Sequence, residues 1–241
     1  MPRKDLSLLA KNMKIWLLGL LLCWTSLLSA QTYQVRKVAA GAVSTGDQGS
    51  APVWRKAGVL KDFVYPWDSA AAPGTSFSAV WDGKWLYGLF KVKDDSVITL
   101  VKKNDKMEVG ASDRVEIFLA RNDSMNPYYC LEMDADGRVM DYNAVYYRKM
   151  NYPWTWPEGQ LVIKASRVSD GYILAFAISI QSLKELGLLQ NGRLHAGLFR
   201  AECKGMVNGR ADLRWISWIR PASVQPDFHT PSAFGTLVLE E

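Results

Sequence analysis

The chain has 241 residues, 49% hydrophobic and 22% charged, with 10 Pro and 18 Gly. That is the balance of a globular fold of one large domain or two small ones, and it excludes collagen-like, repeat-biased and wholly disordered classes. The formal charge of +5 is local: the first 30 residues hold Arg3, Lys4, Lys11 and Lys14 against Asp5 alone, leaving 25 basic and 23 acidic residues beyond them. A remainder of about +2 gives no case for a nucleic-acid partner.

At the amino terminus the four cations precede an apolar run from Ile15 to Trp24, and Ser29-Ala30 follow it. Basic, apolar and small segments in that order predict a secretory signal peptide cleaved after Ala30, with Met1 or Met13 as the start. The run is shorter than the roughly 20 residues of a spanning helix, and Leu22 is too bulky a neighbour for Cys23 to be a lipidation site. The expected product is exported, periplasmic or extracellular, with no membrane insertion after cleavage.

Beyond residue 30 the pattern is one of short strands. Thr75 to Trp81 alternates, Leu86 to Val92 follows, and Asp82-Gly83-Lys84 between them supplies the turn of a hairpin. Further strands are predicted over 114–120, 128–133, 139–146, 161–166, 172–178, 195–203, 214–218 and 235–239, punctuated by Asp134-Ala135-Asp136-Gly137, Ser169-Asp170-Gly171, Asn191-Gly192 and Asn208-Gly209. Helix is confined to short pieces at 181–186 and 53–57. Ten or so strands without a long helical period predict an all-β, antiparallel β-sandwich occupying residues 31–241 as one domain. Cys130 and Cys203 both fall in predicted strands of an exported chain, where a disulfide and two buried thiols are equally open.

Several segments in register resemble the family 9 carbohydrate-binding modules. They are Trp81-Asp82-Gly83-Lys84-Trp85, Ser112-Asp113-Arg114-Val115-Glu116-Ile117-Phe118, Tyr128 to Asp134, Gly171 to Ile178, Gly197 to Glu202, and Asp227-Phe228-His229-Thr230-Pro231 through Phe234-Gly235. The resemblance covers nearly all of residues 31–241. It implies a β-sandwich that binds the end of a poly- or oligosaccharide such as xylan without catalysis, with any glycoside hydrolase partner a separate protein.

A sugar offers hydroxyls at its edge and apolar C–H faces, so its site needs aromatic plates beside in-plane donors and acceptors. Alternation puts Glu116 on one face with Phe118; Glu132 lies on the next strand; Arg200 and Glu202 share a face of a later strand. If these strands lie in one sheet, the four form a charged cluster. The resemblance implies that Glu116 bonds the ligand and that Arg200 is a polar contact. It also implies two Trp plates, one falling at about Gly110 and therefore missing, the other aligning with Phe228. Trp154 and Trp156, in a Pro-rich loop, are the candidates to restore the missing wall, with sandwich-end packing as their other role. Only one of Trp215 and Trp218 can line a cleft, because three residues along a strand reverse the face. His229 is a candidate sugar donor; His195 has no motif around it. No cofactor is expected, and Asp94, Asp95 and Asp113 are the residues for a structural calcium of the kind some family members carry, although their spacing matches no calcium loop. Two alternatives stand beside carbohydrate binding: a glycoside hydrolase using Glu116 and Glu132, and a haem b electron-transfer domain on a related sandwich, with His195 or His229 and a Met such as Met133 as ligands.

Overall fold

Residues 31–241 are described in the computed structural model, and the segment read as a signal peptide, 1–30, lies outside the described residues. The first six strands in chain order are β1 (Thr32–Lys37), β2 (Thr75–Trp81), β3 (Trp85–Lys93), β4 (Arg114–Ala120), β5 (Tyr128–Asp134) and β6 (Val139–Val145). There follow β7 (Lys149–Asn151), β8 (Leu161–Val168), β9 (Gly171–Ser179), β10 (Leu189–Gln190), β11 (Arg193–Val207), β12 (Arg210–Ser217) and β13 (Gly235–Leu239). One short helix, α1 (Ile180–Glu185), starts at Ser179, whose hydroxyl accepts from the Ser182 amide as an N-cap. Strands β1, β7 and β10 escaped the sequence pattern. The last two have three and two residues, too few for alternation to show, and β1 is exposed at four of its six positions.

One layer runs β7-β6-β5-β4-β11-β13-β1, with β12 pairing β11, and the other runs β1-β2-β3-β9-β8. The ladders are antiparallel except at β1, which pairs in parallel with β13 through Thr32–Val35 and with β2 through Arg36 and Lys37. The sandwich is therefore mixed where a purely antiparallel one was expected, because β1 passes from one layer to the other and closes both.

Register decides which side chains meet in the core. In β4, Val115, Ile117 and Leu119 face Phe77, Phe90, Leu174 and Phe176 of the other layer within one cluster. Their cross-strand partners Met133, Leu131 and Tyr129 on β5 join the same cluster. Alternation then sends Arg114, Glu116, Phe118 and Ala120 to the outer face, and the partners Glu132, Cys130 and Tyr128 with them. A sheet face with this much apolar surface is not left to water. The loop carrying Phe228, Ala233 and Phe234 covers it, together with the 3-10 turn Lys106–Ala111, which contributes Val109. The site lies between these two covers.

Cys130 and Cys203 are both free and buried. Cys130 points to the outer face with Phe118, its register partner, while Cys203 sits where β11 bulges before Gly205.

Candidate functional site

On the outer face of the first layer lies a cleft of about 390 Å³, within the range of small-molecule sites, about 300–1,000 Å³. Its floor is built by two adjacent strands. Glu116 of β4 and Glu132 of β5 are direct cross-strand partners and are 1% and 5% exposed. Arg114, two residues before Glu116 and so on the same face, reaches over both. Its Nε donates to Glu132 Oε2 at 2.7 Å and stands 2.9 Å from Glu116 Oε1. A single N–H serves one acceptor well, and Glu116 Oε1 is left buried without a hydrogen bond. Glu132 is satisfied twice, because Tyr142 Oη also donates to its Oε1 at 2.8 Å. The guanidinium is fixed from behind: Nη1 donates to the Gly110 carbonyl at 2.9 Å, and the plane lies over the Trp215 ring at 5.5 Å.

The electrostatics follow from that count. Burial and then the neighbouring Glu132 push the Glu116 carboxyl up to about 8, against the pull of Arg114. The two carboxylates also hold the Arg114 guanidinium above its ordinary range, opposing a burial that by itself would lower it.

One wall is aromatic. Trp67 and Trp215 are half-buried cleft residues, and both pack on Phe228, at 5.5 and 5.7 Å between ring centroids. Phe228 is itself 5% exposed and stacks on Phe199 at 4.1 Å and 10°. It backs the plates and offers little face of its own. The lining also includes Met107, Met140 and Met150 with Gly110. A Cβ at Gly110 would meet Met140 Cε at 3.4 Å, so thioether fills the place where the resemblance put a first Trp.

His229 closes one end. Tyr128 Oη lies 2.9 Å from its Nδ1 and Phe118 packs on its ring. Burial and then Arg148 push its pKa down to about 4, which keeps the imidazole neutral at pH 7. The loop is clasped to the β6–β7 hairpin through Asp227, which accepts from Tyr147 Oη and from Arg148 Nη1, each at 2.7 Å.

Of the eight predicted site residues, the structure brings four together at this cleft: Glu116, Glu132, Phe228 and His229. Arg200 and Glu202 do not join them. Arg200 pairs with Val115 and Ile216, both core residues, so it points between the layers and is 0% exposed. There its Nη2 bonds Asp94 at 2.7 Å and its Nη1 donates to Thr75 Oγ1 and the Lys93 carbonyl. Glu202 accepts from Tyr65 Oη and Lys204 Nζ on that side. Arg114 supplies the cation expected of Arg200. Trp154 and Trp156 pack against Tyr129 at 5.1 and 6.2 Å, on the inner face. The Trp156 indole donates to Ser182. Both finish the core, their second predicted role. Trp215 lines the cleft while Trp218 is in the core, as their spacing required.

Of the residues considered for calcium, Asp94 is on Arg200, Asp113 accepts the amides of Ile98 and Cys203, and Asp95 is exposed. Among the described residues no cluster of three or more His, Cys, Asp or Glu could hold a metal ion. His195 stacks on Phe234 and lies 3.1 Å from Asp123, and Met133 is in the inter-layer core, so neither of these haem candidates joins His229 at the cleft. Sequence reasoning missed Arg114, Trp67, Arg148 and Asp227. Only Arg114 carried a signal, its two-residue offset from Glu116.

Residues 46–241 match the family described as carbohydrate family 9 binding domain-like. No curated protein matches the chain. Among solved structures, the fold is similar to that of a Bacteroides uniformis protein provisionally assigned to carbohydrate binding (TM-score 0.71, 20% identity, 88% of this chain and 100% of that one). It is also similar to a family 9 carbohydrate-binding module from Caldicellulosiruptor kristjanssonii in complex with glucose (TM-score 0.55, 16% identity, 87% and 96%). The same organism's module in complex with cellotriose aligns at TM-score 0.57 and 15% identity over 87% and 94%.

Proposed function

The chain belongs to the carbohydrate family 9 binding domain-like family, and on that footing we propose that it binds a sugar, or the end of an oligo- or polysaccharide, in the cleft over Glu116 without chemical conversion. The observation that carries this is the pairing of a buried polar floor, Glu116, Glu132 and Arg114, with the half-buried indoles of Trp67 and Trp215 beside it. Ring hydroxyls find acceptors and donors in the floor, and the C–H face of the ring meets the indoles. The two Caldicellulosiruptor modules bound to glucose and cellotriose support the same class of ligand. One stacking wall and few direct bonds favour a modest affinity, on the order of micromolar to millimolar.

The carboxyl pair is poorly arranged for hydrolysis. Glycosidases set an acid and a second carboxylate on either side of the scissile bond, whereas Glu116 and Glu132 stand side by side on one floor under a shared guanidinium. The basic, apolar and small order of residues 1–30 supports export, and no helix among the described residues is long and apolar enough to cross a membrane. An exported sugar-binding domain of this kind fits polysaccharide breakdown alongside a separate hydrolase.

The test is calorimetric titration of residues 31–241 with a panel of mono- and oligosaccharides including glucose and cellotriose, with Glu116→Ala as control. Saturable heat that Glu116→Ala abolishes supports the proposal. Silence across the panel, or binding indifferent to Glu116→Ala, sinks it.

A further inference from the structure

The cleft floor holds more negative groups than it can neutralise. Facing Glu116 across β4 and β5 are Glu132, Cys130 and the one cation Arg114; β6 contributes Tyr142, and β11 contributes only Phe199 and Ala201. From above, β12 presents Trp215, the turn Lys106–Ala111 presents Gly110, and the loop from Pro226 presents Asp227 and the neutral His229. Arg148 and Tyr152 come from the hairpin side, and Arg148 is already held by Asp227 at 2.7 Å. Two buried carboxyls thus share one guanidinium. Donors divide them: Glu132 receives Arg114 Nε and Tyr142 Oη, while Glu116 Oε1 receives none.

We propose that Glu116 enters the complex as a neutral carboxylic acid and donates its proton in a hydrogen bond to an oxygen of the bound sugar, so that affinity depends on a proton the empty protein already holds. The proposal takes its ligand from the sugar-binding reading. Two like charges forced together out of water cannot both ionise at neutral pH, and the proton stays on the carboxyl with fewer donors. The same burial and neighbour push the Glu116 carboxyl up to about 8. Glu116 lines the cleft, so a ligand oxygen there can accept its proton, and an ionised Glu116 has no proton to give. Glu132 remains the anion that holds Arg114 in place.

Two measurements test this on residues 31–241. Infrared difference spectra between wild type and Glu116→Gln should show the carbonyl stretch of a protonated carboxyl near pH 6, fading above about pH 8. Calorimetry with glucose and cellotriose should show constant affinity up to that pH and a fall of roughly tenfold for each further unit. Glu116→Gln, whose amide N–H donates from the same place, should bind within about threefold of wild type near pH 7 with a flat pH profile. Glu132→Gln removes the neighbouring charge and should move the fall in affinity to lower pH, giving a second variant should Glu116→Gln fold poorly. Absence of the carboxyl band overturns the proposal whatever sugars bind. A band accompanied by affinity that does not change between pH 6 and pH 9.5, or binding abolished by Glu116→Gln, overturns it as well. A band with no heat from either sugar overturns the donated bond together with the functional reading, and leaves the proton on Glu116 established.

Discussion

Arg200→Met separates the role expected of Arg200 in the sequence from the one the fold assigns it. The guanidinium is fully buried between the layers, 2.7 Å from Asp94 and 3.9 Å from Glu202, whose side chains are 5% and 4% exposed. Asp113 belongs to the same group, its carboxyl pushed up to about 7 chiefly by burial, with Asp94 adding to the shift and Arg200 opposing it. Methionine keeps most of the aliphatic stem, so the loss is that of the charge and its three donated hydrogen bonds, to Asp94, Thr75 and the Lys93 carbonyl. Removing one partner of a buried ion pair costs about 3–5 kcal/mol, because the other stays buried without compensation. At about 2–4 °C per kcal/mol for a chain of this size, the melting temperature should drop by roughly 6–20 °C. Urea unfolding and thermal melts measure the stability, and calorimetric titration with a sugar that binds wild type, at a temperature where both proteins are folded, measures the site. Affinity should be unchanged, since the side chain lies on the opposite face of the sheet from Glu116. Adding Asp94→Asn should return part of the lost stability by removing the stranded carboxylate. An affinity lost by tenfold or more with stability within about 1 kcal/mol of wild type would refute the placement of Arg200 in the inter-layer network.

Three further outcomes follow from the same geometry. Trp215→Ala should weaken sugar binding by roughly tenfold, whereas Trp156→Ala should spare binding and cost about 3–5 kcal/mol of stability in denaturant titrations, as a core indole does. Because the folded pKa of Glu116, about 8, lies above its ordinary 4.5, the stability this group contributes is complete below pH 4.5 and is lost as pH rises through 8. Unfolding curves of wild type and Glu116→Gln should therefore diverge over that window in favour of the amide, by an amount on the order of a few kcal/mol. Cys130 and Cys203 are buried free thiols whose pKa values are raised by burial; neither should react with a bulky thiol reagent in the native protein, and both should react in denaturant.

Much of this molecule is legible in the order of its residues. Period-two alternation and the turn residues between them locate β2 through β6, β8, β9 and β11 through β13. The same alternation sets Glu116 beside Phe118 and opposite Val115, and makes Trp215 and Trp218 face apart; all three hold in the structure. Within one strand, a side chain's face follows from its position alone.

Between strands it does not. Arg200 and Glu132 are both polar residues on alternating strands, yet the antiparallel register pairs Glu116 with Glu132 on one side and with Phe199 on the other. A shift of one residue in that second pairing would have brought Arg200 to the cleft, and nothing local in either strand specifies it. Trp154 and Trp156 fall inward for a similar reason: the apolar partner they need, Tyr129, is 25 residues and more away in sequence and meets them only once β5 is in place. The cover formed by the loop at Phe228 and the turn at Gly110 is likewise assembled across more than 100 residues. Alternation determined that there would be a sandwich of short strands with Glu116 and Phe118 on one face, and the family resemblance implied a sugar site there. Pairing register, a property of two strands and of neither by itself, decided which charged residues became the cleft floor and which became core.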